Sequence, residues 1–232
     1  MPDLTQNKVY DIFPLSILKG KIIINDQEKI ELKNHILDTE INFNENKKKD
    51  YAWLGDNNGQ EFLFHNLLFN KLTKLIGEKI KAYTSLLNIN NEKLDFYFQR
   101  SWATITHTEE KIQLHDHAQS NISFAYYLSK PKNSGDIRFV VDSQNELAKG
   151  LFDQSKQQLG LLKSYDHRNA STVDIAVEED DIIIFPSKTK HATFPNKTNE
   201  PRISISGDVS IILKDSYGHE KLMPSLKKWQ IF

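Results

Sequence analysis

A change in hydrophobic period near Leu94 constrains the fold of this chain more than any other feature of its sequence. From Glu61 to about Asn88, apolar residues recur at steps of three and four, which predicts one long amphipathic helix. After Leu94 they alternate at a step of two, as in strands with one buried face. Strands are predicted at Phe96–Ile105, Ile112–His117, Asn121–Ser129, Asp136–Val141, Thr172–Val177, Asp181–Phe185, His191–Phe194 and Pro201–Leu213. Many short strands separated by polar turns predict a mainly β jelly roll or barrel with flanking helices.

A single domain over residues 1–232 is the expected organisation, because no repeat or linker divides the chain. We place the core barrel at about 94–213. Residues 9–90 would support it through N-terminal strands, one of them at Glu40–Phe43, and through the long helix. The polar, weakly patterned stretch 143–171 is too long for a turn and is predicted to be an insertion or lid.

Charge and cysteine content exclude several classes of protein. The formal net charge is −1, from 30 basic and 31 acidic residues, which argues against a nucleic-acid partner and against an anionic membrane surface. Cysteine is absent, so disulfides, thiolate metal sites and a cysteine nucleophile are excluded. The N-terminal stretch has no apolar signal segment and no stretch reaches membrane-spanning length, so we expect a cytoplasmic protein.

Three histidines are candidates for one metal site. His115 and His117 are two residues apart, so in a strand both side chains project from the same face, separated by about 7 Å along the chain. His191 follows IIIFPS, which is typical of a buried strand that enters a turn. Three imidazoles leave coordination positions open, as a catalytic metal requires. For the H-x-H pair alone, two partly exposed strand histidines remain the alternative.

Arg202 and Ser204 share one face of the strand that follows His191. We expect the intervening turn to return this strand antiparallel beside the strand of His191. A guanidinium facing a barrel interior requires an anion, and a buried contact with a carboxylate contributes about 1.5–3 kcal/mol. A surface ion pair of Arg202 is the alternative.

Three blocks in this order, HDHAQSNISFAYYLSKPKNSGDIRF, IIIFPSKTKHATFPN and EPRISIS, resemble the iron- and 2-oxoglutarate-dependent oxygenases of the double-stranded β-helix fold. They are most similar to a prolyl-hydroxylase-like subfamily that reads H-x-H, S-G-x-Y-Y-L, F-P-S-x-x-x-H and R-x-S. The resemblance covers roughly Phe98–Ser206. It implies a dioxygenase that uses Fe(II), 2-oxoglutarate and O2 to hydroxylate a C–H bond of an unidentified peptide or small molecule, with release of succinate and CO2.

The resemblance also implies roles for individual residues. His115 and His191 match the two histidines of the metal-binding triad, and His117 falls where most members have Asp or Glu. Arg202 falls where the distal carboxylate of 2-oxoglutarate is held. Tyr127 matches a tyrosine that hydrogen-bonds this carboxylate in prolyl-hydroxylase-like relatives.

Three further side chains are candidate contacts for 2-oxoglutarate. Ser204 is one because it lies on the strand face of Arg202. Asn121 and Ser123 share strand parity with Tyr127 and would line the same interior. Ordinary filling of the barrel is the alternative for Tyr127, Asn121 and Ser123.

The histidine at position 117 leaves other functions open. Three neutral ligands leave one more positive charge on the metal than a site of two histidines and one carboxylate, which favours anionic ligands and allows zinc or nickel to bind. A three-histidine dioxygenase that does not use 2-oxoglutarate is one alternative. A non-catalytic barrel that binds a ligand or partner is another. Iron-dependent formation of succinate would separate the leading function from both.

Overall fold

The computed structural model describes residues 14–140, 159–164, 171–218 and 223–232. Its helices and strands, in chain order, are β1 Leu18–Lys21, α1 Asp26–Asn42, β2 Trp53–Leu54, α2 Asn70–Leu86, β3 Leu94–Thr106, β4 Ile122–Ser129, β5 Ile137–Val140, β6 Thr172–Ile175, β7 Asp181–Pro186, β8 Lys190–Thr193 and β9 Arg202–Leu213. Of the predicted lid at 143–171, the structure describes only residues 159–164 and 171, and the beginning of the predicted N-terminal strands also lies outside the described residues.

Helix α1 was not predicted, and the strand expected at Glu40–Phe43 is wrong because its first residues form the end of this helix. A capping box begins the helix. The side chain of Asn25 accepts a hydrogen bond from the backbone N–H of Glu28 at 2.8 Å, and the Glu28 carboxylate accepts from the backbone N–H of Asn25 at 3.3 Å. The helix buries Leu32, Ile36 and Glu40. Because only these three positions are buried and one of them is charged, the sequence of α1 shows no clear helical repeat of apolar residues.

The long helix predicted from Glu61 to about Asn88 is confirmed over the seventeen residues of α2. The residues before it form short 3-10 turns at Leu63–His65 and Leu67–Phe69 instead. The apolar face of α2 buries Leu72, Ile76, Ile80 and Tyr83. Within the described residues, no helix combines the length and the apolar character needed to cross a bilayer.

Gly77 lies inside α2, and no heavy atom stands within 4 Å of the position that a Cβ would take. Glycine loses more backbone entropy on folding than alanine does. We therefore expect Gly77→Ala to raise the free energy of unfolding by about 0.5–1 kcal/mol. Urea denaturation of both proteins measures this difference. A variant that is no more stable than the wild type would contradict the prediction.

Nine strands of the described residues form two antiparallel sheets, which confirms the predicted mainly β jelly roll. The larger sheet has the order β1-β7-β4-β9-β3-β2, and the smaller one has the order β6-β5-β8. The expected pairing of β9 beside β8 is wrong. Strand β9 pairs with β3 and β4, so Arg202 faces His191 from the opposite sheet.

The two faces of the larger sheet have different partners. Its outer face packs against the helices, and there Ile203 and Ile205 of β9 share a core with Leu72 and Ile76 of α2. Its inner face turns toward the smaller sheet, where a second apolar cluster contains Tyr127, Ile137, Phe139, Val177, Ile183 and Phe185. Because side chains alternate along a strand, the polar residues of β9 at 202, 204, 206 and 208 lie on the inner face.

Candidate functional site

The three predicted histidines converge between the two sheets. His191 lies in β8, and two backbone hydrogen bonds of 2.9 and 3.0 Å join it to His115. His117 donates its backbone N–H to the carbonyl of Ser187 at 2.9 Å, which anchors the second half of the H-x-H segment. One ring nitrogen from each of the three histidines lies within 4.8 Å of the others. The three side chains are therefore close enough to share one metal ion.

Each imidazole holds its Nδ1 against an oxygen acceptor. For His115 and His191 this acceptor is the backbone carbonyl two residues earlier, at 2.8 and 2.9 Å. For His117 it is the carboxylate of Asp208, whose two oxygens lie 3.0 and 3.1 Å from Nδ1. A neutral ring protonated at Nδ1 presents an unshared electron pair at Nε2, which is the form that binds a metal.

Burial keeps the rings of His115 and His191 in the neutral form that binds a cation. It lowers the pKa of His115, and it lowers the pKa of His191 to about 3, with a further contribution from the neighbouring His115. Imidazole nitrogens suit Fe(II), Ni(II) and Zn(II) alike. The donor set therefore fits a divalent transition metal, and its neutrality leaves the charge of that metal uncompensated by its direct ligands.

Asp208 is a residue of this site that the sequence analysis missed. Its side chain is almost fully buried and accepts hydrogen bonds from Ser123 Oγ at 2.7 Å and from Arg100 Nη2 at 3.0 Å. Burial alone would raise the pKa of Asp208, but the hydrogen bonds from His117, Ser123 and Arg100 outweigh it and lower the pKa. The available signal was parity, since Asp208 shares the strand face of Arg202.

Arg100 reaches this carboxylate because of a β-bulge. The register of β3 against β9 shifts between Phe98 and Arg100, which leaves Gln99 as the extra residue. Phe98 packs with the helix-facing core, and in a regular strand Arg100 would face the same side. The bulge turns Arg100 to the inner face, opposite Asp208.

Arg202 is 1% exposed, yet no carboxylate forms an ion pair with it among the described residues. Nη1 donates to the carbonyls of Ser134 and Gly135 at 2.7 and 2.8 Å. Nη2 donates to the hydroxyls of Thr193 and Thr106 at 2.8 and 3.2 Å. Nε has no acceptor in the part of the chain that the structure describes. Burial lowers the pKa of this guanidinium, and a buried cation that is solvated only by neutral oxygens favours an anionic ligand.

A row of hydroxyl groups lies next to Arg202. Thr104, Ser204 and Tyr127 are register neighbours on β3, β9 and β4. Thr104 Oγ1 is buried without a hydrogen-bond partner, and the hydroxyl of Tyr127 has none among the described residues. Burial raises the pKa of Tyr127 to about 12, so it remains a neutral donor. Free donors beside a buried cation suit a carboxylate.

One cavity of about 760 Å³ joins the histidine cluster to Arg202. Ser123, Tyr127 and Ser204 line it, whereas Asn121 does not. The Asn121 side chain is exposed, and its Oδ1 accepts from the backbone N–H of Ile211 at 2.8 Å. The more exposed, outer part of the lining contains the polar residues Asp56, Asn57, Gln99, Arg100, Lys111, Gln113 and Gln119, together with Tyr51, Leu54 and Ile112.

Residues 100–208 match the family described as "Putative 2OG-Fe(II) oxygenase". These residues belong to the 2OG-Fe(II) oxygenases. The matched segment contains the three histidines, Arg202 and Asp208. Members of that family use Fe(II) and 2-oxoglutarate, so the matched residues are those of an oxidoreductase with these two cofactors.

Solved structures share the double-stranded β-helix fold of this oxygenase. It is similar to the non-heme α-ketoglutarate-dependent epimerase SnoN from nogalamycin biosynthesis, with 12% identity over 91% of this chain and 90% of that chain and a TM-score of 0.54. It is also similar to HygX from Streptomyces hygroscopicus, whose structure contains nickel, 2-oxoglutarate and hygromycin B. The identity is 11% over 85% of this chain and 83% of that chain, and the TM-score is 0.53. A Pseudomonas putida prolyl-4-hydroxylase has 13% identity over 84% of this chain and 92% of that chain, with a TM-score of 0.51. No protein of curated function matches the chain in sequence.

Proposed function

We propose that this oxygenase hydroxylates a C–H bond of a polar substrate, with His115, His117 and His191 as its metal ligands and Arg202 as the anchor for 2-oxoglutarate. The observation that carries the proposal is the buried Arg202 guanidinium, which lacks a carboxylate partner among the described residues and shares a cavity with the three histidines. A dicarboxylate with one end at the metal and the other at Arg202 accounts for both features.

The side chains around Arg202 would receive the distal carboxylate of 2-oxoglutarate. Nε of Arg202 and the hydroxyls of Tyr127, Ser204 and Thr104 supply donors on one wall of the cavity. Charge-assisted hydrogen bonds of this kind are about twice as strong as neutral ones. Asn121 lies outside the cavity and would not contact 2-oxoglutarate, whereas Ser123 lines the cavity and holds Asp208.

Iron together with 2-oxoglutarate would supply the oxidation of the substrate by O2, with release of succinate and CO2. The protein would orient both reactants and keep bulk water away from them. Trp102, Ile137 and Phe185 give the inner part of the cavity apolar walls and are 5%, 2% and 1% exposed. Such walls exclude water from a reactive centre.

The outer part of the cavity indicates a substrate with hydrogen-bonding groups. Both charges are present there, on Asp56, Arg100 and Lys111, together with amide side chains. A peptide or a polar small molecule matches this mixed lining better than an apolar compound does. The structural neighbours include an epimerase and a carbocyclase, so hydroxylation is one of several outcomes that the same fold accommodates.

Anaerobic titration of the metal-free protein with ferrous iron and 2-oxoglutarate tests the assignment. We expect a visible charge-transfer band that requires both compounds. Arg202→Ala is expected to weaken 2-oxoglutarate binding about 10–150-fold, which corresponds to the 1.5–3 kcal/mol of a buried charged contact. Arg138→Ala is the matched control, because Arg138 pairs with Asp174 at 2.7 Å and lies outside the cavity.

The contrary result would be protein that retains the metal by elemental analysis but shows no band and forms no iron-dependent succinate. That outcome would overturn the assignment of 2-oxoglutarate to this cavity. It would favour a three-histidine dioxygenase of another kind or a non-catalytic binding protein.

A further inference from the structure

Three neutral imidazoles leave a divalent metal with its full charge, and the buried carboxylate of Asp208 contacts one of these rings. Asp208 is 2% exposed and places both carboxylate oxygens within 3.1 Å of Nδ1 of His117. The acceptors of the other two rings are neutral backbone carbonyls. The histidine at position 117 is therefore distinguished from its partners by its charged hydrogen-bond acceptor.

The sheet fixes this carboxylate rigidly. Asp208 faces Arg100 on β3 and Ser123 on β4 in the strand register, and both neighbours bind it. Ser120 Oγ lies 3.3 Å from the same carboxylate and 2.7 Å from Ser187 Oγ. Asp208 thus has several donors that hold it in place whether or not a metal is bound.

On this geometry we propose that Asp208 is a positioning residue that acts through His117 and supplies the negative charge missing from the direct ligands of the metal. The carboxylate holds the proton on Nδ1, directs Nε2 into the cavity and increases the electron density of the ring. This inference rests on the proposed metal site. Outer partners of ligating histidines typically change metal affinity by about 10–100-fold when they are removed.

The positive charge of Arg100 reduces the electrostatic effect that Asp208 would have on a bound metal. Its guanidinium forms ion pairs with Asp208 at 3.0 Å and with Asp56 at 3.4 Å, and it lies 5.1 Å from the ring centroid of Trp102. Trp102 in turn stacks on His117 with 5.8 Å between the ring centroids. Because Arg100 pairs with two carboxylates, it neutralises the charge of Asp208 only in part. The remaining negative charge acts on His117.

The test measures the affinity of the full-length, metal-free protein for Co(II), by chelator competition and by the visible spectrum of the bound ion. Asp208→Asn keeps the shape of the side chain and removes its charge. We expect it to weaken Co(II) binding about 10–100-fold and to shift the Co(II) bands. The matched control is Asp181→Asn, since Asp181 is equally buried in the same sheet but pairs with Lys19 and Lys21. This control is expected to leave the Co(II) affinity unchanged.

A double-mutant cycle separates positioning from a general loss of structure. In a His117→Ala background, whose weaker binding is measured at correspondingly higher Co(II) concentrations, Asp208→Asn is expected to have little further effect on Co(II) affinity, because Asp208 acts through that ring. Equal effects in the two backgrounds would overturn the inference, and so would a wild-type affinity in the single variant. If the wild type itself binds no metal, the proposed metal site fails together with the inference.

A measurement on the wild type covers the case in which Asp208→Asn does not fold. Nitrogen NMR of histidine-labelled, zinc-loaded protein reports which ring nitrogen carries the proton. Three rings protonated at Nδ1 and bound through Nε2 are expected. A His117 that is protonated at Nε2 or bound through Nδ1 would overturn the role of Asp208.

Discussion

Replacement of His191 by alanine is expected to abolish metal binding at micromolar metal concentrations. Loss of a direct ligand should exceed the roughly 10–100-fold effect of losing an outer partner, so we expect affinity to fall by more than about 100-fold. The ring of His191 packs 4.7 Å from that of Phe185, centroid to centroid, so the variant should also lose about 1–3 kcal/mol of stability. Elemental analysis and thermal unfolding of the metal-free proteins measure the two effects separately.

His115→Ala shows whether the loss of metal follows from coordination or from packing. His115 is less buried than His191, so its truncation should leave stability nearly unchanged while it removes another of the proposed metal ligands. His65→Ala is the control, because His65 is exposed and belongs to no cluster of metal-binding side chains among the described residues. Full metal occupancy in either His115→Ala or His191→Ala would contradict the proposed ligand set.

Gly135→Ala is expected to damage the arginine site more than any other single methyl group would. Gly135 has a φ of +88°, and a Cβ there would stand 2.2 Å from the carbonyl oxygen of Phe194 and 2.8 Å from Arg202 Nη1. The unfavourable backbone conformation and the overpacking together should cost on the order of 3 kcal/mol of stability. Displacement of the guanidinium should also weaken 2-oxoglutarate binding by at least about tenfold.

Gly59→Ala is the control that measures the loss of stability caused by the left-handed backbone conformation alone. Gly59 has a φ of +74°, but a Cβ at this position would meet no heavy atom within 4 Å. The control should therefore lose only about 1 kcal/mol and retain its affinity for 2-oxoglutarate. Urea denaturation and calorimetric titration make the comparison. Similar losses in both variants would show that the close approach to Arg202 does not matter.

The sequence predicts much of this site because strand parity is a local property. Alternation of apolar and polar residues identifies the strands, and it places Arg202 and Ser204 on one face. The H-x-H pair with a later histidine predicts a metal cluster, and the structure brings the three rings together. No long-range information is needed for either inference.

The orientation of Arg100, the partners of β9 and the position of Asn121 do not follow from the sequence, because they depend on contacts between distant parts of the chain. The bulge at Gln99 reverses the parity of Arg100, and only the pairing of β3 with β9 reveals it. The partners of β8 and β9 also could not be predicted from local pattern, because the turn after His191 crosses to the other sheet instead of forming a hairpin. Asn121 was expected to follow the parity of Tyr127, but it lies before the first residue of β4 and bonds to β9 from outside the cavity.

The alternation along β9 has a consequence for how this oxygenase could change over time. Residues 203, 205 and 209 pack in the core shared with the helices, while residues 204 and 206 line the cavity. Selection can therefore alter the second set without touching the first, so new substrate preferences need not be accompanied by loss of thermal tolerance. The same alternation makes a one-residue deletion in β9 far more harmful than any substitution, because it would exchange the two sets along the rest of the strand.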